Sequence, residues 1–350
     1  MASVASGGAV DVTVRGAGIF GLSCAWECAA RGARVRVVDP FGPGAGASGG
    51  LVGALAPHVP ENWNEKKAFQ LESLLLAESW WAGVEAAGGV SPGYARSGRL
   101  QPLADAQAVE LARGREETAA ELWQGRALWQ VIPATGGDWE PESPSGYLVH
   151  DTLTARMHPR RACAALVAAL SARGVDVVAE APDEGAVIWA TGAAGLEEMS
   201  RIAGRQVGVP IKGQAALLRF DAGKVPQVFA GGVHVVPHAD GTVAIGSTSE
   251  REFEGLGTDA QIEAVIAAAR AAMPVLRDAP VIECWAGLRP RARSRAPMLG
   301  AWPGRPGHYI ANGGFKIGFG MGPKVGAVMA ALVLEGADGI PEGFCAEALF

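Results

Sequence analysis

One stretch limits what this chain can become more than any other: Val12–Asp39, reading VTVRGAGIFGLSCAWECAARGARVRVVD. Val12-Thr13-Val14 is a short β-branched run that suits a buried strand. Gly16, Ala17, Gly18, Ile19, Phe20 and Gly21 follow, with the glycines in G-x-G-x-x-G spacing. Gly16 permits a tight turn, Gly18 lets backbone approach a pyrophosphate, and Gly21 lets a helix close onto the strand. That helix runs past Ala25 to Gly32, and its N-terminus offers free N–H groups and partial positive charge to phosphates. Val35–Val38 reads as a second strand ending on Asp39, 18 residues after Gly21, where an acid accepts hydrogen bonds from ribose hydroxyls. Strand, glycine loop, helix, strand and acid together point to an ADP-containing dinucleotide. An acid at this place disfavours NADP, whose 2′-phosphate it repels.

At 350 residues the chain fits two domains. Its 49 glycines and 22 prolines predict many tight turns rather than long bundles. A formal net charge of −6 argues against a general nucleic-acid binder. Five cysteines (Cys24, Cys28, Cys163, Cys284, Cys345) form no CxxC pair and no metal-spaced cluster, so no metal is expected. MASVASGGAV lacks the basic and apolar regions of a signal peptide, and no apolar run reaches the roughly 18 residues that span a bilayer. A cytoplasmic, reduced location is the expectation.

After Asp39, residues 40–50 form a loop of small residues in which Ala47, Ser48 and Gly49 can lie against a ligand, Ser48 offering its hydroxyl; a flexible linker is the plain alternative. Residues 65–87 show helical periodicity, with Trp80 and Trp81 as packing residues, and 105–129 read as a second, more polar helix. Pro133–Gly146 is loop. His158-Pro159 opens a helix that stops at Gly174, and Val175–Val178 and Ala186–Ala190 are strands, the latter leading into Thr191-Gly192. Residues 206–220 and 228–248 alternate as strands, with Asp240-Gly241 as a hairpin turn. Thr258 is placed to cap a helix to about Ala272, and Pro323 to start a last helix over Val325–Leu334.

Four separated motifs converge on one pattern. RGAGIFGLSCAWECAARGARVRVVD, the GAGASGG…GALAPH loop, the IWATGA turn and the pair WAGLRP…GGFKIGFG resemble the FAD-dependent amine and amino-acid oxidases of the D-amino-acid oxidase type, with glycine and sarcosine oxidases close in pattern. The motifs spread from residue 12 to 335. The resemblance implies an α/β fold: a Rossmann-like FAD-binding domain from residues 10–90, 147–205 and 285–345, with a mixed-sheet α+β substrate domain from 91–146 and 206–284. It implies non-covalent FAD, since no cysteine falls where sarcosine oxidases attach flavin; Cys284 comes near with the wrong offset. Thr191 and Gly192 would meet the dinucleotide a second time. Gly313, Gly314, Phe315, Lys316 and Ile317 would lie along the flavin ring, with the last helix aimed at its N1–C2=O edge.

For the substrate, the resemblance implies that Arg289, the arginine of AGLRP, clamps a carboxylate, as a guanidinium can do bidentately. Lys316 stands where sarcosine oxidases carry GFK and glycine oxidases arginine. His234 replaces a tyrosine over the active site and could titrate in the working pH range; a satisfied strand histidine is equally open. His58, after the GALAP turn, is a further candidate. The chain departs from the family between Val178 and Val187, where a three-stranded meander is cut short. The activity implied is oxidation of a small amine or amino acid by hydride transfer from Cα to flavin N5, giving an imine that hydrolyses, with oxygen or a quinone as final acceptor. Two alternatives stay open: oxidation of a secondary amine on a tRNA wobble uridine, and a partner-dependent flavin subunit.

Overall fold

A computed structural model describes residues 9–350; residues 1–8, most of the stretch read for a signal peptide, lie outside the described residues. In chain order the first elements are Val12–Arg15 (β1), Ile19–Ala30 (α1), Val35–Val38 (β2), Ala54–Leu55 (β3) and Glu65–Gly88 (α2). Arg99–Pro102 (β4), Ala106–Trp123 (α3), Trp129–Pro133 (β5), Tyr147–Asp151 (β6) and Ala155–Arg156 (β7) follow. Then come Pro159–Ser171 (α4), Val177–Val178 (β8), Ala186–Trp189 (β9), Gly192–Ala203 (α5), Gly208–Arg219 (β10), Gln227–Ala230 (β11) and Val233–Pro237 (β12). The chain closes with Thr242–Gly246 (β13), Gln261–Ala272 (α6), Val281–Ala292 (β14), Met298–Ala301 (β15), His308–Asn312 (β16) and Gly318–Glu335 (α7).

Two large sheets result. The first runs β15-β16-β9-β1-β2-β8, with β16, β9, β1, β2 and β8 parallel. Its strands are short apolar runs, with Val12, Val14, Ile188 and Ala311 in one core with α1 and α7 and with Met298 and Ile310 in another with Leu196 and Met199 of α5, as parallel strands buried on both faces require. The second runs β14-β10-β13-β12-β11-β4-β6-β5 and is mostly antiparallel. One face packs Ala216, Leu218, Val235, Val243 and Ile245 against Ile262, Val265 and Ile266 of α6. The opposite face carries Ala215, Leu217, Val236 and Ala244 against Leu51, which follows the small-residue loop. That contact joins the two sheets. The α/β architecture with a second mixed-sheet unit stands as expected.

Several local expectations change. Tyr147–Asp151 and Val281–Ala292 pair in the second sheet, although residues from 147 and from 285 were placed with the dinucleotide unit. The polar helix ends at Trp123 rather than 129, because Gln124 and Gly125 turn left-handed (φ 51° and 71°) and residues 129–133 pair with β6. Thr258 caps nothing: the Asp259 carboxylate accepts from the Gln261 amide at 2.9 Å, and α6 starts there. Pro323 lies inside α7, which begins five residues earlier at Gly318. Small residues explain the longer helix. A Cβ at Gly322 would sit 3.0 Å from Ser23 Oγ, and one at Gly326 would meet the Ser23 carbonyl, so glycines let α7 lie closely on α1. By length and composition α7 is also the one described helix apolar enough to cross a bilayer, against expectation; here Met321, Val325, Met329 and Ala330 are buried in the core.

Candidate active site

The carboxyl ends of β1, β2, β9 and β16 gather every residue expected to hold the dinucleotide. Ligands in open α/β sheets lie at this edge. Gly16 adopts φ 104°, and a Cβ there would overlap the Ala190 carbonyl and crowd Thr191, so the glycine loop and the Thr191-Gly192 turn touch. A Cβ at Gly21 would overlap the Gly16 carbonyl, which is the close helix–strand approach read from the motif. Gly18 caps α1 in an extended conformation with no side-chain partner, and the first turn carries no acid. The positive end of the helix is thus left for a phosphate. Ser48, on the 3-10 turn Ala47–Gly49, accepts from the Ile19 amide at 3.0 Å. Asp39 accepts from the amides of Ala17 (2.8 Å) and Phe41 (2.9 Å), which ties the second strand's end to the glycine loop.

Far along the chain, Gly313 adopts φ 78° and Gly314 rests against the Phe20 ring, where a Cβ would come within 3.0 Å. Phe315 takes a left-handed φ of 43°, and its amide donates to the Pro290 carbonyl at 3.0 Å. Residues 313–317 therefore bridge the dinucleotide loop and the AGLRP strand, and Ile317 caps α7. Asn312 was missed by sequence reasoning. Buried at the end of β16, it donates to the Gly192 carbonyl (3.0 Å) and accepts from the Gly313 amide (2.8 Å), locking the two glycine turns together. Its position directly before Gly313-Gly314 was the available signal. These glycine cradles, a helix N-terminus with no acid in its first turn and an acid at the second strand fit a bound FAD.

The second sheet supplies the other wall. Its register lines His234, Gly246, Ala215 and Trp285 in one cross-strand row, with Arg289 on the same face of β14. The Arg289 guanidinium donates to the Thr248 carbonyl (3.0 Å) and to Ser247 Oγ (2.5 Å), both neutral acceptors. It occupies space above Gly213 that any Cβ would fill. Burial pushes its pKa down to about 10, against the favourable charge of Glu250. Lys316 makes no hydrogen bond or ion pair among the described residues; burial and the charges of Arg289 and Arg291 hold its pKa below the usual lysine value. Arg291 and Lys316 both lie by the Phe315 ring, at 5.6 and 5.7 Å from its centre. Arg289, Lys316 and His234 thus share one electrostatic neighbourhood.

His234 has an unpartnered buried Nδ1, and burial, then Arg99 and Lys316, push its pKa down to about 3. It stays neutral at ordinary pH, so it does not titrate in the working range as the sequence suggested. His58 is held apart from this group. Its amide donates to Gln70 Oε1 at 2.8 Å, its ring Nδ1 meets the same oxygen, and none of its bonds reaches Arg289, Lys316 or His234. Elsewhere, half-buried His158 and buried His238 have ring centres 4.5 Å apart at the far end of β12. Cys284 is a free thiol exposed on β14. Among the described residues no His, Cys, Asp and Glu group could hold a metal ion.

The sequence matches, over residues 11–332, the family model described as FAD dependent oxidoreductase. It is 27% identical over 358 residues to a protein called bifunctional protein ThiO/ThiG from a Nostoc species, covering 93% of this chain and 53% of that protein. The chain thus spans about half the length of that relative. It is 27% identical to a glycine oxidase of Pseudomonas putida, over 94% of this chain and 96% of the relative. In fold it is similar to the crystal structure of glycine oxidase from Geobacillus kaustophilus, with a TM-score of 0.83 at 20% identity over 96% of this chain and 98% of that one.

Proposed function

The chain belongs to the FAD dependent oxidoreductase family, and from that premise we propose that it oxidises a small amine or amino acid bearing a carboxylate, at the C–N bond next to that carboxylate. When bound, FAD supplies the acceptor for the two electrons that leave the substrate. Gly16–Gly21, Asp39, Ala47–Gly49, Thr191-Gly192 and Gly313–Ile317 would hold it. The remaining work falls to the second sheet.

The observation that carries this reading is Arg289. A buried guanidinium bonded only to a carbonyl and a hydroxyl retains its charge with no carboxylate in direct ion-pair contact, Glu250 acting on it only from a distance. Such a group costs several kcal/mol to keep unpaired, which a ligand carboxylate offsets on binding. Lys316 adds a second cation on the same side. Held between them, a carboxylate is fixed in place and tilt, so the neighbouring C–H bond is presented in one orientation. His234, kept neutral, can accept from or donate to the substrate nitrogen without adding charge. Loss of hydride from the carbon and a proton from the nitrogen leaves an imine, which water hydrolyses after release. Glycine, sarcosine and D-amino acids have the required chemistry, and the glycine oxidases among the relatives support this substrate class.

The test is an anaerobic spectral screen of the purified yellow protein against glycine, sarcosine, D-amino acids and simple amines. Bleaching of the visible flavin band by carboxylate-bearing amines supports the reading. Bleaching only by tRNA, or by no free amine unless another subunit is added, would replace it.

A further inference from the structure

Behind the wall that presents Arg289, on the opposite face of the second sheet, lies a buried polar network that the oxidation itself does not use. Lys212 is fully enclosed. Its ammonium pairs with Asp259 at 2.7 Å and stands 3.5 Å from Glu250. Gln214, also fully buried, donates to Glu250 Oε1 (3.0 Å) and Asp259 Oδ1 (2.8 Å) and accepts from the Asp259 amide (2.9 Å). Thr248 joins this network to the active site. Its hydroxyl donates to Glu250 and accepts from the Gln214 amide at 2.8 Å, while its carbonyl accepts from Arg289. Backbone bonds between Lys212 and Glu250 in both directions (3.0 and 2.9 Å) fix the same segment to β10.

We propose that Glu250 is a positioning residue for the Arg289 guanidinium, acting through Thr248, with Lys212 and Gln214 holding the Glu250 carboxylate in place. The inference rests on the reading that Arg289 receives the substrate carboxylate. Two physical points carry it. Removing charged groups from water is expensive unless each is paired and hydrogen-bonded; here Lys212 bonds Asp259, and Glu250 Oε1 accepts from Gln214 and Thr248 while its Oε2 stands 3.5 Å from the Lys212 ammonium without a hydrogen bond. That segment, 247–250, provides both acceptors of Arg289, and residues 213–214 provide the space and the second anchor. A guanidinium clamped through two fixed acceptors keeps its remaining N–H groups aimed in one direction, which is what bidentate recognition of a carboxylate needs. Asp259 extends the network to the start of α6, whose Gln261 amide it caps.

The experiment uses the FAD-loaded protein and reads two quantities: the dissociation constant of acetate, followed by perturbation of the flavin spectrum, and steady-state kinetics with glycine and with methylamine. Glu250→Gln is expected to weaken acetate binding and raise the glycine KM about tenfold, with kcat changed less than twofold and methylamine kinetics unchanged. Thr248→Val, which removes the linking hydroxyl and keeps the carbonyl, is expected to show the same pattern at about threefold, and it decides the matter if Glu250→Gln does not fold. In an Arg289→Ala background neither change should weaken acetate binding further, since coupled residues are not additive. Unchanged acetate affinity in Glu250→Gln, or an equal loss with methylamine, overturns the positioning role. Unchanged acetate affinity in Arg289→Ala alone removes the underlying reading instead.

Discussion

The two sheets solve different problems with different means. The first offers a ligand mainly backbone. Gly16, Gly18, Gly21 and Gly313 matter for what they lack, and the charge offered is the partial charge of a helix end. The second offers side chains, with Arg289 oriented by residues that follow a strand two positions away in the sheet. Arg289 depends on Ser247, Thr248 and the empty space at Gly213. A backbone site is set by local sequence and tolerates drift elsewhere. A side-chain site depends on register, and a change two strands away can move it.

Substitutions probe each sheet separately. The largest effect is expected in the first sheet. Gly21→Val puts side-chain atoms into the Gly16 carbonyl, and we expect a colourless protein with no FAD retained after gel filtration, read as the 450-nm region against protein absorbance. Next comes Arg289→Ala, expected to lower kcat/KM for an amino-acid substrate by several hundredfold while FAD stays bound at full occupancy. If FAD is lost as well, the two sites are less independent than argued. Gly213→Ala should act on the second site alone, because its Cβ would displace the guanidinium; about a tenfold rise in KM with normal flavin content is expected, and an unchanged KM would show that Arg289 can shift without cost.

The last effect concerns pH and acts on stability rather than on either site. His234 and His238 each have a folded-state pKa pushed down to about 3, chiefly by burial. Below an ordinary histidine pKa near 6.5 the unfolded chain binds protons that the folded chain refuses, so stability falls as pH drops from about 6.5 toward 3. Denaturant titrations at pH 7 and pH 5 should differ by about 2 kcal/mol per histidine. His234→Phe should recover its share. Over pH 6–8, kcat/KM should carry no inflection from His234.

How much of this was legible in the residues follows the same division. The strand–loop–helix–strand of Val12–Asp39 is readable because each glycine has a local steric reason, and the structure adds only the partners: Ser48 to Ile19, Asp39 to Ala17. Arg289 and Lys316 were legible as types within a motif, though their shared neighbourhood with His234 required the sheet register. Gly213, Gln214 and Glu250 were not legible at all. They look like ordinary strand and loop residues until β10, β13 and β14 are paired and the segment after β13 folds back on Lys212. The helix 318–335 was misjudged for a related reason: proline read as a start signal, while glycines packing on α1 carry the helix through it. His58 shows the opposite failure, a residue near a motif whose bonds lead to α2.

The proposed selection of substrate by a carboxylate received at Arg289 is the reading on which the rest depends. Its most direct test is to mix the oxidised protein anaerobically with matched pairs, glycine against methylamine and sarcosine against dimethylamine, and follow the flavin absorbance by stopped flow. Reduction by the carboxylate-bearing member of a pair is expected to be at least about a hundredfold faster at equal concentration, and that preference is expected to be lost in Arg289→Ala. Equal rates within each pair, or a preference that survives in Arg289→Ala, would contradict it.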